Sequence, residues 1–257
     1  MEKDFYLQYA SVEDKHWWFV ARRQIIQQVI CGLSLPKNAQ ILEAGCGTGG
    51  NLQMLSRYGA VSAMELDEVA CHLANQRQII QVKRGHLPDK IPFNSSYDLI
   101  LILDVIEHLD DDLSALEALY YKLKPGGYLL VTVPAYQFLW SEHDEINHHK
   151  RRYRLKNLKN LVKKAKYQVS YSSYFNTLLF PLIAIVRSLA KLLPKQNKHE
   201  LSSDLVVPSK TVNKFLKWLF ASERYLIDKF SLPFGVSILL LARKPIPINV
   251  RELGIGH

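Results

Sequence analysis

The chain has 257 residues and a formal net charge of +9, with hydrophobic residues at 48% and charged residues at 22%. That length suits one enlarged sheet domain able to bury a full core, and the apolar-to-charged balance excludes a disordered chain. Three cysteines, Cys31, Cys46 and Cys71, give neither a disulfide framework nor a paired metal-ligand spacing, no signal peptide is legible, and the longest apolar runs, Thr177 to Val186 and Ser231 to Ala242, fall short of the roughly 20 residues a spanning helix needs, so a reduced, cytoplasmic setting without a transmembrane segment is the expectation.

Along the chain, an aromatic and basic segment comes first, Lys15-His16-Trp17-Trp18-Phe19-Val20-Ala21-Arg22-Arg23. Two adjacent tryptophans on a helix cannot both face inward, so one is available to cover a ligand. Short apolar runs then alternate with helical patterns, the signature of a parallel sheet. Strands are expected at Gln40–Ala44, Val61–Glu65, Ile79–Val82, Leu99–Leu103 and Tyr128–Val133. Helices are expected at Asn51–Tyr58, Glu68–Arg77 and Asp111–Leu123, the last two opening with acids that suit a helix N-terminus. Pro125-Gly126-Gly127 reads as a turn.

Beyond the fifth strand, Leu155–Lys166 reads as a basic amphipathic helix, Gln168–Tyr174 as an alternating strand and Gly235–Arg243 as the final strand. About 60 residues between successive strands exceed an ordinary connection. Residues 176–234 are therefore read as a helical cap insertion, and 1–175 with 235–257 as the core. The cap has helical patterns at Leu178–Leu193 and Val212–Phe230, joined by a polar link containing Pro194 and Pro208. His148 to Lys166 holds nine Lys or Arg and no acid. Such a stretch suits nucleic acid, anionic lipid or a phosphorylated acceptor, and equally a solvated helix face. No RNA-binding motif or aromatic platform accompanies it, so charge alone supports a nucleic-acid module and nucleic acid is not the expected partner.

Ile41-Leu42-Glu43-Ala44-Gly45-Cys46-Gly47-Thr48-Gly49 follows a strand and opens a helix. Glycines let this turn reverse and let backbone approach a ligand. An acid two residues before the first glycine pairs with a cationic amino group, whereas a pyrophosphate site disfavours charge there. The next strand ends at Glu65, about 20 residues beyond the glycines, where a carboxylate can accept both hydroxyls of a ribose. Tyr97-Asp98-Leu99-Ile100-Leu101-Ile102-Leu103-Asp104-Val105-Ile106-Glu107-His108-Leu109 and Leu123-Lys124-Pro125-Gly126-Gly127 complete the set. Together these segments closely resemble class I S-adenosylmethionine-dependent methyltransferases, over roughly residues 15–175 and 235–244.

The resemblance implies a Rossmann-like, doubly wound α/β fold with a seven-stranded, mostly parallel sheet and a helical cap before the last strand. It implies S-adenosyl-L-methionine as cofactor and no metal ion. By position, the methionine part lies against Glu43, Gly45, Cys46 and Gly47, the ribose on Glu65, the adenine beside Leu66, His86 and Leu87, and the sulfonium near Asp104. Many relatives carry an acid where His86 follows Gly85, so base recognition here would rest on backbone and packing.

Trp140 to Tyr153 follows the fifth strand and resembles a D-x-x-x-H-x-R-R-Y segment of bacterial methyltransferases associated with small-molecule or glycan biosynthesis. The resemblance implies an acceptor-facing loop. His148 or His149 would be the base for a hydroxyl acceptor, with Asp144 orienting it and Arg151 or Arg152 holding an anionic part. Tyr153, Trp17 and Trp18 would complete the acceptor side, while His108 is read as structural or as a wall of the donor pocket, and His143 and His86 have no stronger claim to catalysis. The leading expectation is methyl transfer to a small-molecule or saccharide acceptor on oxygen. The alternative is a lipid-linked or isoprenoid acceptor at the inner membrane surface, contacted through the apolar cap helix carrying Arg187 and Lys191.

Overall fold

The structure is a computed structural model, which describes residues 3–192, 205–227 and 229–247. Five strands run parallel: β1 (Ala39–Ala44), β2 (Gly59–Glu65), β3 (Val82–Arg84), β4 (Tyr97–Leu103) and β5 (Leu123–Pro134). With β6 (Gln168–Phe175) and β7 (Ser237–Arg243) they form one sheet of order β3-β2-β1-β4-β5-β7-β6, in which β7 is antiparallel to both neighbours. This is the expected seven-stranded, mostly parallel sheet. The order reverses between β1 and β4, and such a switch point opens a crevice at the carboxyl ends of the strands.

Both faces of the sheet are covered, which is why its central strands read as unbroken apolar runs. Leu99, Leu101 and Leu103 face α2 (Trp17–Cys31), whose Ala21, Ile25, Ile26, Val29 and Ile30 are buried against them. Ile100 and Ile102 face the opposite way, towards Leu116 and Leu119 of α5 (Asp112–Lys122) and Leu158 and Val162 of α7 (Leu155–Lys164). The helix starts follow capping chemistry: Asp67 accepts from Val69 N and Ala70 N at α4 (Glu68–Gln76), and Asp111 from Ser114 N at α5.

Several boundaries differ from expectation. Ile79 and Ile80 are not strand; they follow Gln78, at φ 54°, and pack half-buried beside Ala74 and Val82, so the ladder begins only at Val82, opposite Ala63. Of Asn51–Tyr58 only α3 (Leu52–Leu55) is helical, because the chain must turn within three residues to start β2. Pro125-Gly126-Gly127 is a bulge inside β5: Tyr97 pairs with Leu123 but Leu99 with Tyr128, and Gly126 takes φ 77°.

The stretch between β6 and β7 holds α8 (Phe180–Leu192), α9 (Lys210–Ser222) and α10 (Arg224–Ile227); Pro194 of the link lies outside the described residues. The second helical pattern breaks at Glu223, which is fully buried and accepts from Leu178 N at 2.8 Å. The α9–α10 part extends the α2 layer. Trp17 N donates to Asn213 Oδ1 (2.8 Å), Asn213 Nδ2 to Lys15 O (2.9 Å) and Arg224 to Gln24 Oε1 (2.6 Å), while Phe220 meets Trp17 edge-on and stacks on Phe175. Arg187 and Lys191 of α8 turn onto the protein, donating to the carbonyls of Leu139 and Phe138. Among the described residues no helix is long and apolar enough to cross a membrane.

Candidate active site

A cleft of about 1120 Å³ opens at the carboxyl ends of β1, β2, β4 and β5. Its floor is the glycine loop. Gly45 N and Cys46 N donate to Met64 O, at 2.9 and 3.1 Å, which folds the loop back over β2. Gly45 and Gly47 take φ of 79° and 55°, in the left-handed region that side chains disfavour. A Cβ at Gly45 would strike Val105 at 2.5 Å, whereas one at Gly47 would meet nothing within 4 Å, so Gly47 leaves open space on the cleft side.

Glu43 lies beneath this loop, 1% exposed, with Oε1 accepting from Asn51 Nδ2 at 2.7 Å and Oε2 without a partner. Burial pushes its carboxyl up to about 7, against the pull of Asn51 and Arg22. Glu65 closes the end of β2. Its Oε2 accepts from Gly47 N (2.8 Å) and its Oε1 from Leu66 N (2.8 Å) and Asp67 N (3.0 Å), so this acid also anchors the loop. Leu66, His86 and Leu87 line the adjoining wall, with Gly85 between the strand end and His86.

The roof is the N-terminal helix pair, α1 (Lys3–Val12) and α2. Glu13, in the link between them, accepts from Thr48 Oγ1 and from Arg77 (2.6 Å), while Arg77 Nε donates to Thr48 O (2.7 Å). The roof is thereby fastened to the glycine loop. Tyr6 of α1 lies near Glu65: burial, and after it the carboxylates of Glu65 and Asp67, drive its hydroxyl well above the usual phenol range. Arg22 of α2 is buried and donates to Asp104 Oδ2 (2.5 Å) and Thr132 Oγ1 (2.9 Å), with Trp18 against its guanidinium and its Nε left without a partner. Asp104 sits at φ 56°. Trp17 and Trp18 both line the cleft, although Trp17 also packs on Phe220.

The wall opposite the glycine loop comes from the ends of β4 and β5. Asp144, in the short helix α6 (Glu142–Ile146), is fully buried. It accepts from His149 Nδ1 (2.8 Å), from Arg152 Nε (2.7 Å) and NH2 (2.8 Å), and from Ser141 N (2.8 Å). Burial alone would raise its carboxyl, but the hydrogen bonds from His149 and Arg152 outweigh it and hold the group far below the usual carboxylate range. His149 stands edge-on to His108, ring centroids 4.6 Å apart. Burial, then the neighbouring His149, lowers His108 to about 4. Glu107 beside them is fully buried with neither carboxylate oxygen partnered, and burial raises it well above the carboxylate range.

The structure thus gathers Glu43, Gly45, Cys46, Gly47, Glu65, Leu66, His86, Leu87, Asp104, Trp17, Trp18, His148 and His149 around one cleft. Two expected acceptor residues are elsewhere. Arg151 donates to Asp112 and to the carbonyls of Leu109 and Asp110, and Tyr153 is buried with its hydroxyl on Asp112, so both brace the start of α5 and neither lines the cleft. Arg152 does border the cleft, but its guanidinium is committed to Asp144 and to Ala135 O (3.1 Å). His148 is exposed, at φ 54°, whereas His149 alone of the pair is aligned by Asp144. Glu13, Arg22 and Glu107 were not singled out from sequence. The signals available were an arginine inside an aromatic helix and an acid between apolar Ile106 and Leu109.

A sheet of this order, with a glycine-loop crevice at its switch point and an acid closing the second strand, has the class I S-adenosylmethionine-dependent methyltransferase fold. The chain belongs to the methyltransferase domain family, whose profile matches residues 17–172. Among curated relatives, trans-aconitate 2-methyltransferase of Deinococcus radiodurans is 30% identical over 115 residues, 43% of this chain and 41% of that protein. Ubiquinone biosynthesis O-methyltransferase of Pseudomonas entomophila is 27% identical over 97 residues, 34% and 41% of the two chains. These matches span less than half the length of either relative. A solved S-adenosylmethionine-dependent methyltransferase of Thermotoga maritima, described as a possible histamine N-methyltransferase, superposes with a TM-score of 0.55 at 20% identity, covering 93% of this chain and 99% of that one.

Proposed function

We propose that the chain transfers the methyl group of S-adenosylmethionine to an oxygen of a small-molecule or saccharide acceptor. The observation that carries this reading is the pairing, across one cleft, of a glycine-loop floor with a wall in which Asp144 aligns His149. Glu43 matches the donor's ammonium group, and the unpartnered Nε of Arg22 its carboxylate. Glu65, which already accepts three backbone N–H groups, keeps one acceptor site, on Oε2, for a ribose hydroxyl, Tyr6 covers that sugar, and Leu66, His86 and Leu87 flank the adenine. Asp104, held by Arg22, stands beside the sulfonium.

Methyl transfer is an in-line displacement: the acceptor oxygen bonds to the methyl carbon as the carbon–sulfur pair returns to sulfur. Alignment and exclusion of water supply much of the acceleration. Asp144 fixes the tautomer of His149 so that its other nitrogen faces the cleft and draws on the hydroxyl proton, a role worth about 100-fold or more. The cap, residues 176–234, governs acceptor entry, since Leu182, Ile183, Val186 and Arg187 of α8 form the rim. Titration calorimetry with S-adenosylmethionine and its demethylated product tests the donor half. Gly47→Val is expected to obstruct both ligands and Glu65→Ala to weaken both by about 1.5–3 kcal/mol, the worth of a charge-assisted contact. Affinities unchanged in both variants would overturn this map.

A second reading, a lipid-linked or isoprenoid acceptor at a membrane surface, is favoured by one observation. Leu182, Ile185, Val186 and Leu189 form an exposed apolar ridge on α8 at the cleft rim. Arg187 and Lys191 do not contribute to it, being bonded to the loop after β5. Flotation with anionic vesicles separates the readings: retention that is lost in Ile185→Glu selects the membrane, and no retention at low salt selects a soluble acceptor.

A further inference from the structure

Aligning one base does not account for everything in the wall. Glu107 is fully buried and both its oxygens lack a partner, a state that a native fold sustains only with a proton or a cation close by. Neither nearby arginine bonds to it: Arg152 is committed to Asp144 and Ala135, while Arg22 gives NH2 to Asp104 and Thr132 and its Nε has no partner.

The geometry around this carboxylate is convergent. Glu107, His108 and His149 each offer one ligand atom, and these atoms lie within 4.8 Å of one another. Ligands about 2.0–2.2 Å from a common ion stand roughly 3–4 Å apart, so modest side-chain adjustment closes the set. The two imidazoles meet at 82°, as they can when two edges point at one ion. Each ring is also held from behind. His149 gives Nδ1 to Asp144, leaving Nε2 for the cleft, and His108 is hydrogen-bonded to the backbone of Asn147. A ligating histidine whose second nitrogen is fixed by a carboxylate or carbonyl is the usual outer-shell arrangement of metal sites. Asp144 is in turn fixed by Arg152 and Ser141.

We propose that Glu107, His108 and His149 bind a divalent first-row transition-metal ion whose remaining coordination positions face the cleft. Two imidazoles and one carboxylate suit Zn²⁺, Mn²⁺, Fe²⁺ or Co²⁺ better than Mg²⁺ or Ca²⁺, which favour all-oxygen sets. The ligand set stands on geometry alone; the ion's role rests on the oxygen-acceptor reading and refines it. A hydroxyl coordinated to the ion releases its proton to water more readily. The resulting oxyanion gives an electron pair to the methyl carbon, the carbon–sulfur bond breaks towards sulfur, and a neutral thioether, a methyl ether and one released proton balance the reaction. His149 then acts as a ligand rather than by taking the proton itself.

The test uses the full chain stripped by dialysis against a chelator and titrated with Co²⁺, followed by its visible absorption bands, and with Zn²⁺ by calorimetry. One ion per chain is expected, with affinity reduced about 100-fold or more in Glu107→Gln and in His149→Gln, and about 10- to 100-fold in Asp144→Asn, which only orients a ligand. Donor titration of the same samples confirms that each variant is folded. No Co²⁺ binding by a chain that still binds donor overturns the metal site and leaves His149 as the direct base. Binding that is equal in wild type and all three variants puts the ion elsewhere and also overturns it. Binding at these residues, with no hydroxyl compound methylated by the metal-loaded chain, upholds the site and overturns the oxygen-acceptor reading instead.

Discussion

On the glycine-loop side of the cleft, much of the polar framework is backbone within one continuous stretch, residues 43–67: Gly45 N, Cys46 N, Gly47 N, Leu66 N and Asp67 N all have partners there. On the opposite wall the framework is made of side chains, Glu107, His108, Asp144, His149 and Arg152, drawn from the exits of two strands. A backbone cradle depends on glycine spacing and tolerates many sequences around it. A side-chain wall depends on each member's partners, so its failures should propagate. In this molecule the glycine-loop floor is the general part and the opposite wall the particular one.

The larger expected effect belongs to the wall. Asp144→Asn leaves the Arg152 guanidinium, only 3% exposed, without its counter-charge, and breaking a buried pair on one side costs about 3–5 kcal/mol. Urea unfolding should show that loss at neutral pH. The sign follows from the depressed carboxyl: the pair's stabilisation is present above the unfolded aspartate value of about 3.9 and is lost as pH falls through the folded one, so wild type and variant should converge in acid. A variant as stable as wild type would make the wall as tolerant as the floor and remove the contrast.

The smaller effect tests the floor. Because burial holds Glu43 near 7 while the donor's ammonium favours the ionised form, donor affinity should fall as pH drops through that value, by at most about tenfold per pH unit, or about 1.4 kcal/mol. Glu43→Gln should bind donor more weakly at high pH and show a flat profile. A flat profile in wild type would mean that Glu43 serves only to hold Asn51 and the loop.

The floor was legible in sequence because its parts are local. A strand, three glycines and an acid about 20 residues on must meet wherever β1 and β2 lie side by side, and Ala44 does pair with Met64 one step before Glu65. The wall was less legible for the opposite reason. Glu107 and His149 are 42 positions apart and meet only because β5 returns the chain beside β4. In the run from Arg151 to Tyr153, the resemblance to the D-x-x-x-H-x-R-R-Y segment implied three acceptor contacts, but a one-residue step in an extended segment reverses side-chain direction. Arg152 turns towards Asp144, while Arg151 and Tyr153 on either side turn to Asp112. Likewise the helical pattern Val212–Phe230 gave no sign that Glu223 would interrupt it to cap the turn at Leu178.

The seam between α2 and α9 bears on how such a fold can be recombined. The segment matching the family profile, residues 17–172, contains neither α9 nor β7. Yet Trp17 and Gln24 at its beginning are bonded to Asn213 and Arg224 near the far end of the fold, and β7 separates β5 from β6. Cutting or grafting at the profile's edges would leave the outer face of α2 bare and β5 with an open edge. A chimera built on this fold therefore has to carry the Trp17 face of α2 together with residues 205–236, as one inherited unit drawn from both ends of the fold.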